Sequence, residues 1–243
     1  MEEKALKKKR FTLKDIIYIS VIFLLTAGMV VMAVFLFTKK SKEEQRSYYD
    51  NKVAAFAVEN ANYSKGQIVF IGDSITDLCH LDNYYQDLPK KTYNRGIGGD
   101  VTDGVYRRLQ VSLYDIEPSE IVLMIGINDI NLGKSTDEII TNYKNILDDI
   151  KIHLPTAKLF AMSILPMNED LGYFSDIDAQ NQKVIAANTR IKPLVEEKEY
   201  TYVDLFSSVK NENGRLTKEY SIDGIHLSDA GFKVWANMVK PLL

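Results

Sequence analysis

Residues 67–76 read Gln67-Ile68-Val69-Phe70-Ile71-Gly72-Asp73-Ser74-Ile75-Thr76. The unbroken apolar run from Ile68 to Ile71 suits a strand buried on both faces, as in a parallel sheet, since a half-solvated strand would alternate with polar residues. Gly72 stands at its end, where a residue without Cβ permits a sharp turn. Ser74 then projects from the sheet edge. Taken alone, Gly-Asp-Ser is also ordinary turn composition, so the surrounding pattern must decide.

Working outward, short apolar runs alternate with longer amphipathic ones. Strands are expected at 67–72, 92–95, 120–126, 158–165 and 200–205. Helices are expected at 47–61, 101–113, 136–152, 178–198 and 229–240, with Asp137 and Ser228 as N-terminal caps and Pro155 just beyond the third helix. Strands joined by helices of this length imply right-handed crossovers and a three-layer α/β/α domain with about five parallel strands. Ligands in such open sheets bind at the carboxyl ends of strands, so chemistry-bearing motifs should follow the strands directly.

Three further motifs meet that test. Asn94-Arg95-Gly96-Ile97-Gly98-Gly99-Asp100 follows the second strand. Its glycines let backbone N–H groups approach a ligand, although a plain strand-to-helix turn has the same composition. A phosphate loop fits poorly, because neither the Walker pattern nor a complete G-x-G-x-x-G is present. Gly126-Ile127-Asn128-Asp129 follows the third strand, and Asn128 offers a neutral N–H donor there, or else a turn and cap residue. Asp223-Gly224-Ile225-His226-Leu227-Ser228 lies near the C-terminus. A nucleophilic serine requires a base that is itself oriented by a third group, and Asp223 and His226 on one tight turn supply both. His153 ends a helix, and His80 sits in a helix-like stretch six residues after Ser74 with no fixed acidic partner, so both suit the role less well.

In this order and spacing the four blocks resemble the SGNH hydrolases, also called the GDSL esterase and lipase family. Within it the chain is most similar to the platelet-activating-factor acetylhydrolase-like branch, whose second block has the Asn-x-Gly-x-Gly-Gly-Asp form seen at 94–100. The resemblance covers about residues 65–243 and implies a flavodoxin-like fold. It implies Ser74 as nucleophile, His226 as general base and acid, and Asp223 as orienter of the histidine. The oxyanion hole would comprise the Ser74 and Gly99 amides and the Asn128 side chain. The chemistry requires no cofactor. Three histidines and one cysteine, widely separated, form no metal-binding pattern.

Outside the resemblance, residues 16–37 carry no charge across 22 positions, enough for one helix to cross the ~30 Å hydrocarbon core. A core helix is seldom apolar all round for so long, and a cleaved signal has a shorter apolar region of about 7–15 residues. Lys39-Lys40 stops the run abruptly, which favours an uncleaved anchor. Six Lys/Arg precede the run and four follow closely, so residues 1–15 are expected in the cytoplasm and the C-terminal domain outside it. Residues 38–50 then form a charged stalk and residues 51–243 the hydrolase domain.

Net charge is split. Residues 1–46 hold ten Lys/Arg against five Asp/Glu, and the remainder holds 20 against 28. A domain this acidic is a poor partner for nucleic acid. The lone Cys79 excludes an internal disulfide and suits a small buried side chain. The expected substrate is a small-molecule or glycan ester, with O-acetyl groups of a surface glycan preferred. A lysophospholipase or short-chain lipid esterase, an O-acyltransferase and a non-catalytic glycan-binding module are the alternatives. Tyr173 and Phe174, in the loop 166–174 after the fourth strand, are candidates for the pocket rim. Oligomeric state is left open.

Overall fold

The apolar run after Gln67 forms strand β1, Ile68–Gly72, and every residue in it is buried. In the computed structural model, which describes residues 12–169 and 176–243, four more strands join it. They are β2 (Thr92–Gly96), β3 (Glu120–Met124), β4 (Lys158–Met162) and β5 (Thr201–Val203). All pairings are parallel, in the order β2-β1-β3-β4-β5. This is the flavodoxin-like order, with its switch point between β1 and β3. Ile68, Val69, Phe70 and Ile71 are at most 1% exposed, which requires cover on both faces of the sheet. Each such side chain contributes roughly 1.5–3 kcal/mol on burial, so the central strands anchor the fold.

The chain divides into two compact units, Met1–Tyr48 and Tyr49–Leu243, and each is described by itself. Helix α1, Leu13–Asn60, contains the apolar run. Over 16–37 its large apolar side chains are exposed, and it is long and apolar enough to cross a membrane by length and composition. Within the second unit, Phe56 of the same helix is buried.

The remaining helices are α2 (Ser74–Asp77), α3 (Asp82–Tyr85), α4 (Thr102–Arg107), α5 (Ile127–Asn131), α6 (Thr136–His153), α7 (Ile177–Glu197), α8 (Leu205–Val209) and α9 (Asp229–Val239). Four of these have only four or five residues, too few to show a helical period.

Several local expectations change. The strands expected at 120–126, 158–165 and 200–205 are shorter, ending at Met124, Met162 and Val203. The helix expected over 101–113 is interrupted: α4 ends at Arg107 and a π-helical turn spans Gln110–Tyr114. The break falls at Arg108, whose side chain is bound to the strand ends described below. Ser228 caps α9 as expected, accepting from the Gly231 amide. Asp137 does not cap α6. Ser135 does, in a reciprocal capping box with Glu138, while Asp137 pairs with Arg190. His80 lies in irregular chain rather than in a helix. Tyr173 and Phe174 lie outside the described residues.

Candidate active site

The turn after β1 positions Ser74. Asp73 is extended and caps α2, its Oδ1 accepting from the Ile75 amide at 3.0 Å. Ser74 is therefore the first residue of α2, half-buried at the carboxyl end of β1. Asn94 of β2 fixes the far end of this short helix. Its Nδ2 donates to the carbonyls of Thr76 (2.7 Å) and Cys79 (3.0 Å), and its Oδ1 accepts from Gly96 N (2.8 Å). Gly96 must be glycine here, since a Cβ would stand 2.1 Å from Asp77 N and 2.7 Å from Thr76 C. Asp77, one turn after Ser74, lines a cavity of about 680 Å³ together with Lys52, His80 and Asn94.

His226 arrives on the turn before α9. Gly224 has φ +93°, a conformation that favours glycine. Around it, Asp223 Oδ1 accepts from the amides of Ile225 (3.0 Å) and His226 (2.8 Å). Oδ2 is then free to meet His226 Nδ1 at 2.5 Å, and His226 Nε2 lies 2.8 Å from Ser74 Oγ. A proton on Nδ1 is donated to Asp223, which leaves the Nε2 lone pair facing the serine hydroxyl. Burial pushes the Asp223 carboxyl up, but the donors from His226 and Ile225 outweigh it and hold the carboxyl below its ordinary range. The turn is tied to the segment after β4 by Asn168 N, which donates to Gly224 O at 2.8 Å.

Gly99 and Asn128 follow β2 and β3, the two strands paired with β1. Gly99 has φ +76°. Gly98 N donates to Asp77 Oδ2 (3.3 Å) and Asp100 N to Ile97 O (3.1 Å). Of these three successive amides, that of Gly99 has no partner among the described residues. Asn128 Nδ2 donates one hydrogen to Asp100 O at 2.9 Å, and the other is available to a ligand. The segment is cross-linked once more: Asp129 Oδ2 accepts from Thr102 N (2.9 Å) and its Oδ1 from Thr102 Oγ1 (2.6 Å) and Lys134 Nζ (2.8 Å).

Two histidines stay apart from this chain of contacts. His80 is exposed. His153 stacks on Tyr114 at 4.5 Å and bonds the Asp149 carbonyl. Cys79 is buried, and burial pushes its thiol up to about 12, away from the thiolate form that acts as a nucleophile.

Buried charges beneath the site were not singled out in the sequence. Arg95, Asp100, Arg108 and Asp129 are each at most 4% exposed. Asp73 is equally buried, and burial pushes its carboxyl up to about 7, helped by the nearby charges of Asp100 and Asp129. The signal available was three charges within the second and third blocks; nothing local marked Arg108. No grouping of three or more metal-ligating side chains occurs among the described residues.

The profile of the GDSL-like lipase/acylhydrolase family matches residues 70–234, from β1 into α9. The chain belongs to that family. It is a carboxylic ester hydrolase of the SGNH type. Among its relatives is platelet-activating factor acetylhydrolase IB subunit alpha1 of Homo sapiens, 25% identical over 189 residues, covering 76% of this chain and 79% of the human one. A Streptococcus pneumonia structure, provisionally described as a platelet activating factor, is 28% identical, with a TM-score of 0.78 over 87% of this chain and 98% of that one. The acetyl xylan esterase AlAXEase shares the fold, with a TM-score of 0.63, 18% identity and coverage of 73% and 99%.

Proposed function

We propose that this SGNH hydrolase cleaves short-chain acyl esters, O-acetyl groups above all, with Ser74 as nucleophile. The observation that carries this reading is the continuous contact from Ser74 Oγ through His226 to Asp223, at 2.8 and 2.5 Å. His226 takes the serine proton as Oγ attacks the ester carbonyl. The carbonyl oxygen becomes an oxyanion stabilised by the Ser74 and Gly99 amides and the free Asn128 hydrogen. Collapse expels the alcohol, which His226 protonates, and leaves an acyl-serine. Water activated by the same histidine then attacks the acyl-serine and releases the acid. Asp223 holds the tautomer and stabilises the imidazolium throughout.

The acetyl preference is supported by the names of the curated relatives, acetylhydrolases that cover about three quarters of this chain. The location belongs to the proposal as well. Residues 16–37 anchor the enzyme as a single uncleaved span, with residues 1–15 cytoplasmic and the hydrolase domain facing the cell envelope. An envelope glycan bearing O-acetyl groups is the substrate within reach of a domain so tethered. A short-chain lipid ester is the second reading, favoured by the apolar run that would hold the enzyme beside a bilayer.

The test uses the full chain in detergent micelles against p-nitrophenyl acetate, p-nitrophenyl octanoate, acetylated xylo-oligosaccharide and a lysophospholipid. Acetyl release from sugar at kcat/KM above that of the lipid supports the first reading. Preference for octanoate or lysophospholipid supports the second. Unchanged turnover in Ser74→Ala would refute the nucleophile assignment. The anchor is tested separately by intact mass of membrane-extracted protein, where a start beyond residue 30 contradicts it.

A further inference from the structure

Arg108 is 2% exposed, yet it is a permanent cation, and a buried charge persists only if its donors are met. Its Nε donates to Asp100 Oδ2 at 2.8 Å and its Nη2 to Gly72 O at 2.9 Å. Its Nη1 donates to Arg95 O at 2.8 Å and Ser112 Oγ at 3.0 Å. Two of these acceptors are the backbone ends of β1 and β2. Gly72 lies two residues before Ser74, and Arg95 opens the chain leading to Gly99. The third acceptor, Asp100, follows Gly99 directly.

Asp100 has two duties in this arrangement. Its side chain, also buried, takes the Arg108 Nε and its own neighbour's amide, Val101 N, at 2.9 Å. Its carbonyl takes one hydrogen of Asn128 Nδ2 and so fixes which way that amide points. The packing leaves no slack: a Cβ on Gly104 would stand 1.8 Å from Asp100 Oδ1. Burial raises the Asp100 carboxyl above its ordinary range, and the Arg108 charge beside it offsets only part of that rise, so the contact that counts is the geometric one.

We propose that Arg108 and Asp100 form a buried positioning pair that sets the oxyanion donors Gly99 and Asn128 against Ser74. This rests on the catalytic reading above and adds to it the residues that act through others. The guanidinium fork matters as much as its charge. Its planar set of donors reaches two strand-end carbonyls and the Asp100 carboxylate at once, whereas an ammonium is a point donor on a flexible stem and holds them less rigidly. The pair should therefore act on the step in which negative charge develops on the carbonyl oxygen, and not on ground-state binding of the ester.

A double-mutant cycle separates positioning from mere stability. kcat and KM for p-nitrophenyl acetate are measured with the full chain in detergent, at a temperature where circular dichroism shows each variant folded. The set is wild type, Arg108→Lys, Asn128→Ala and the double variant. Arg108→Lys is expected to lower kcat about ten-fold or more, less than the two to three decades for losing a donor outright, with KM within about two-fold. In the Asn128→Ala background the same change should cost much less, because a donor that is gone cannot be misaligned. Asp100→Asn, of the same shape, runs through the same cycle and carries the test if Arg108→Lys does not fold. Equal fold-losses in both backgrounds, or an unchanged kcat in a folded Arg108→Lys or Asp100→Asn protein, overturn the proposal. Ser74→Ala is assayed alongside. If it turns over like wild type, the catalytic reading itself has failed, which is distinct from failure of the pair.

Discussion

His226 Nε2 stands 2.8 Å from Ser74 Oγ although 152 positions of chain separate the two residues. Ser74 is supplied by the turn after β1 and His226 by the turn before α9, so the contact exists only in the folded sheet.

That relationship predicts a hierarchy of losses. Ser74→Ala and His226→Ala should each reduce kcat on p-nitrophenyl acetate to near background, and the double variant should lose little more, because the proposed nucleophile and base would act as one unit. Asp223→Ala should retain more activity, since the base remains and loses only its orientation. Asn128→Ala should cost about two to three decades. Stopped-flow acyl release with each purified variant checks the order. Additive losses for Ser74→Ala and His226→Ala would mean that they do not act on the same step.

The Asp73 carboxyl gives a pH signature of opposite sign to most acids. Its folded value is raised to about 7, chiefly by burial, against an ordinary 3.8. The folded state therefore holds the proton more tightly than the unfolded chain does. The associated stability is fully present below about pH 4, declines as pH rises, and is gone above about pH 7, with a ceiling on the order of a few kcal/mol. Asp73→Asn keeps the shape and the acceptor for Ile75 N but removes the ionisation. Denaturation midpoints at pH 5 and pH 8 should differ more in wild type than in Asp73→Asn. An identical pH difference in both proteins would count against a protonated Asp73. Asp223 works the other way: its lowered folded value gives stability present above about pH 4 and lost only in stronger acid.

Gly96→Ala should damage catalysis and stability together. The added methyl would meet backbone atoms of Thr76 and Asp77, which cannot rotate away as a side chain can. Overpacking of this kind typically costs about 1–3 kcal/mol, and relief requires α2, with Ser74 at its start, to shift. A thermal melt and a kcat measurement on one preparation test both. Gly133→Ala offers a contrast, because open space surrounds that position and only its φ of +78° resists a side chain.

The elements that could be read from sequence are those whose information is local. IVFI at 68–71 and IVLMI at 121–125 are apolar without alternation, and both mark strands covered on two faces. The Ser74, Gly99, Asn128 and Asp223–His226 positions each stand in a contiguous block, so order and spacing expose them. The cap of α6 was also legible, as Ser135-x-x-Glu138, but Asp137 inside it is the more conspicuous acid. Arg95 and Arg108 were not legible, because charged side chains are usually exposed. Their burial depends on carbonyls and acids far away in sequence, such as Glu59 and Asn60 for Arg95 and Gly72 for Arg108. The break in the expected helix at Arg108 has the same long-range origin.

In the order β2-β1-β3-β4-β5, the strand before Ser74 lies between the two strands that lead to Gly99 and Asn128, whereas His226 comes from the turn before α9, after the last strand in sequence. Three parts of the proposed machinery thus sit on adjacent strand ends, and one rests on a partly exposed turn outside helix and strand, held by individual bonds such as Asn168 N to Gly224 O. Local opening needs less free energy than global unfolding where few contacts hold a segment. On warming, the enzyme should therefore fall silent before its sheet melts, and on cooling it should recover at once, as a hinged part does when it swings back into a frame that never came apart.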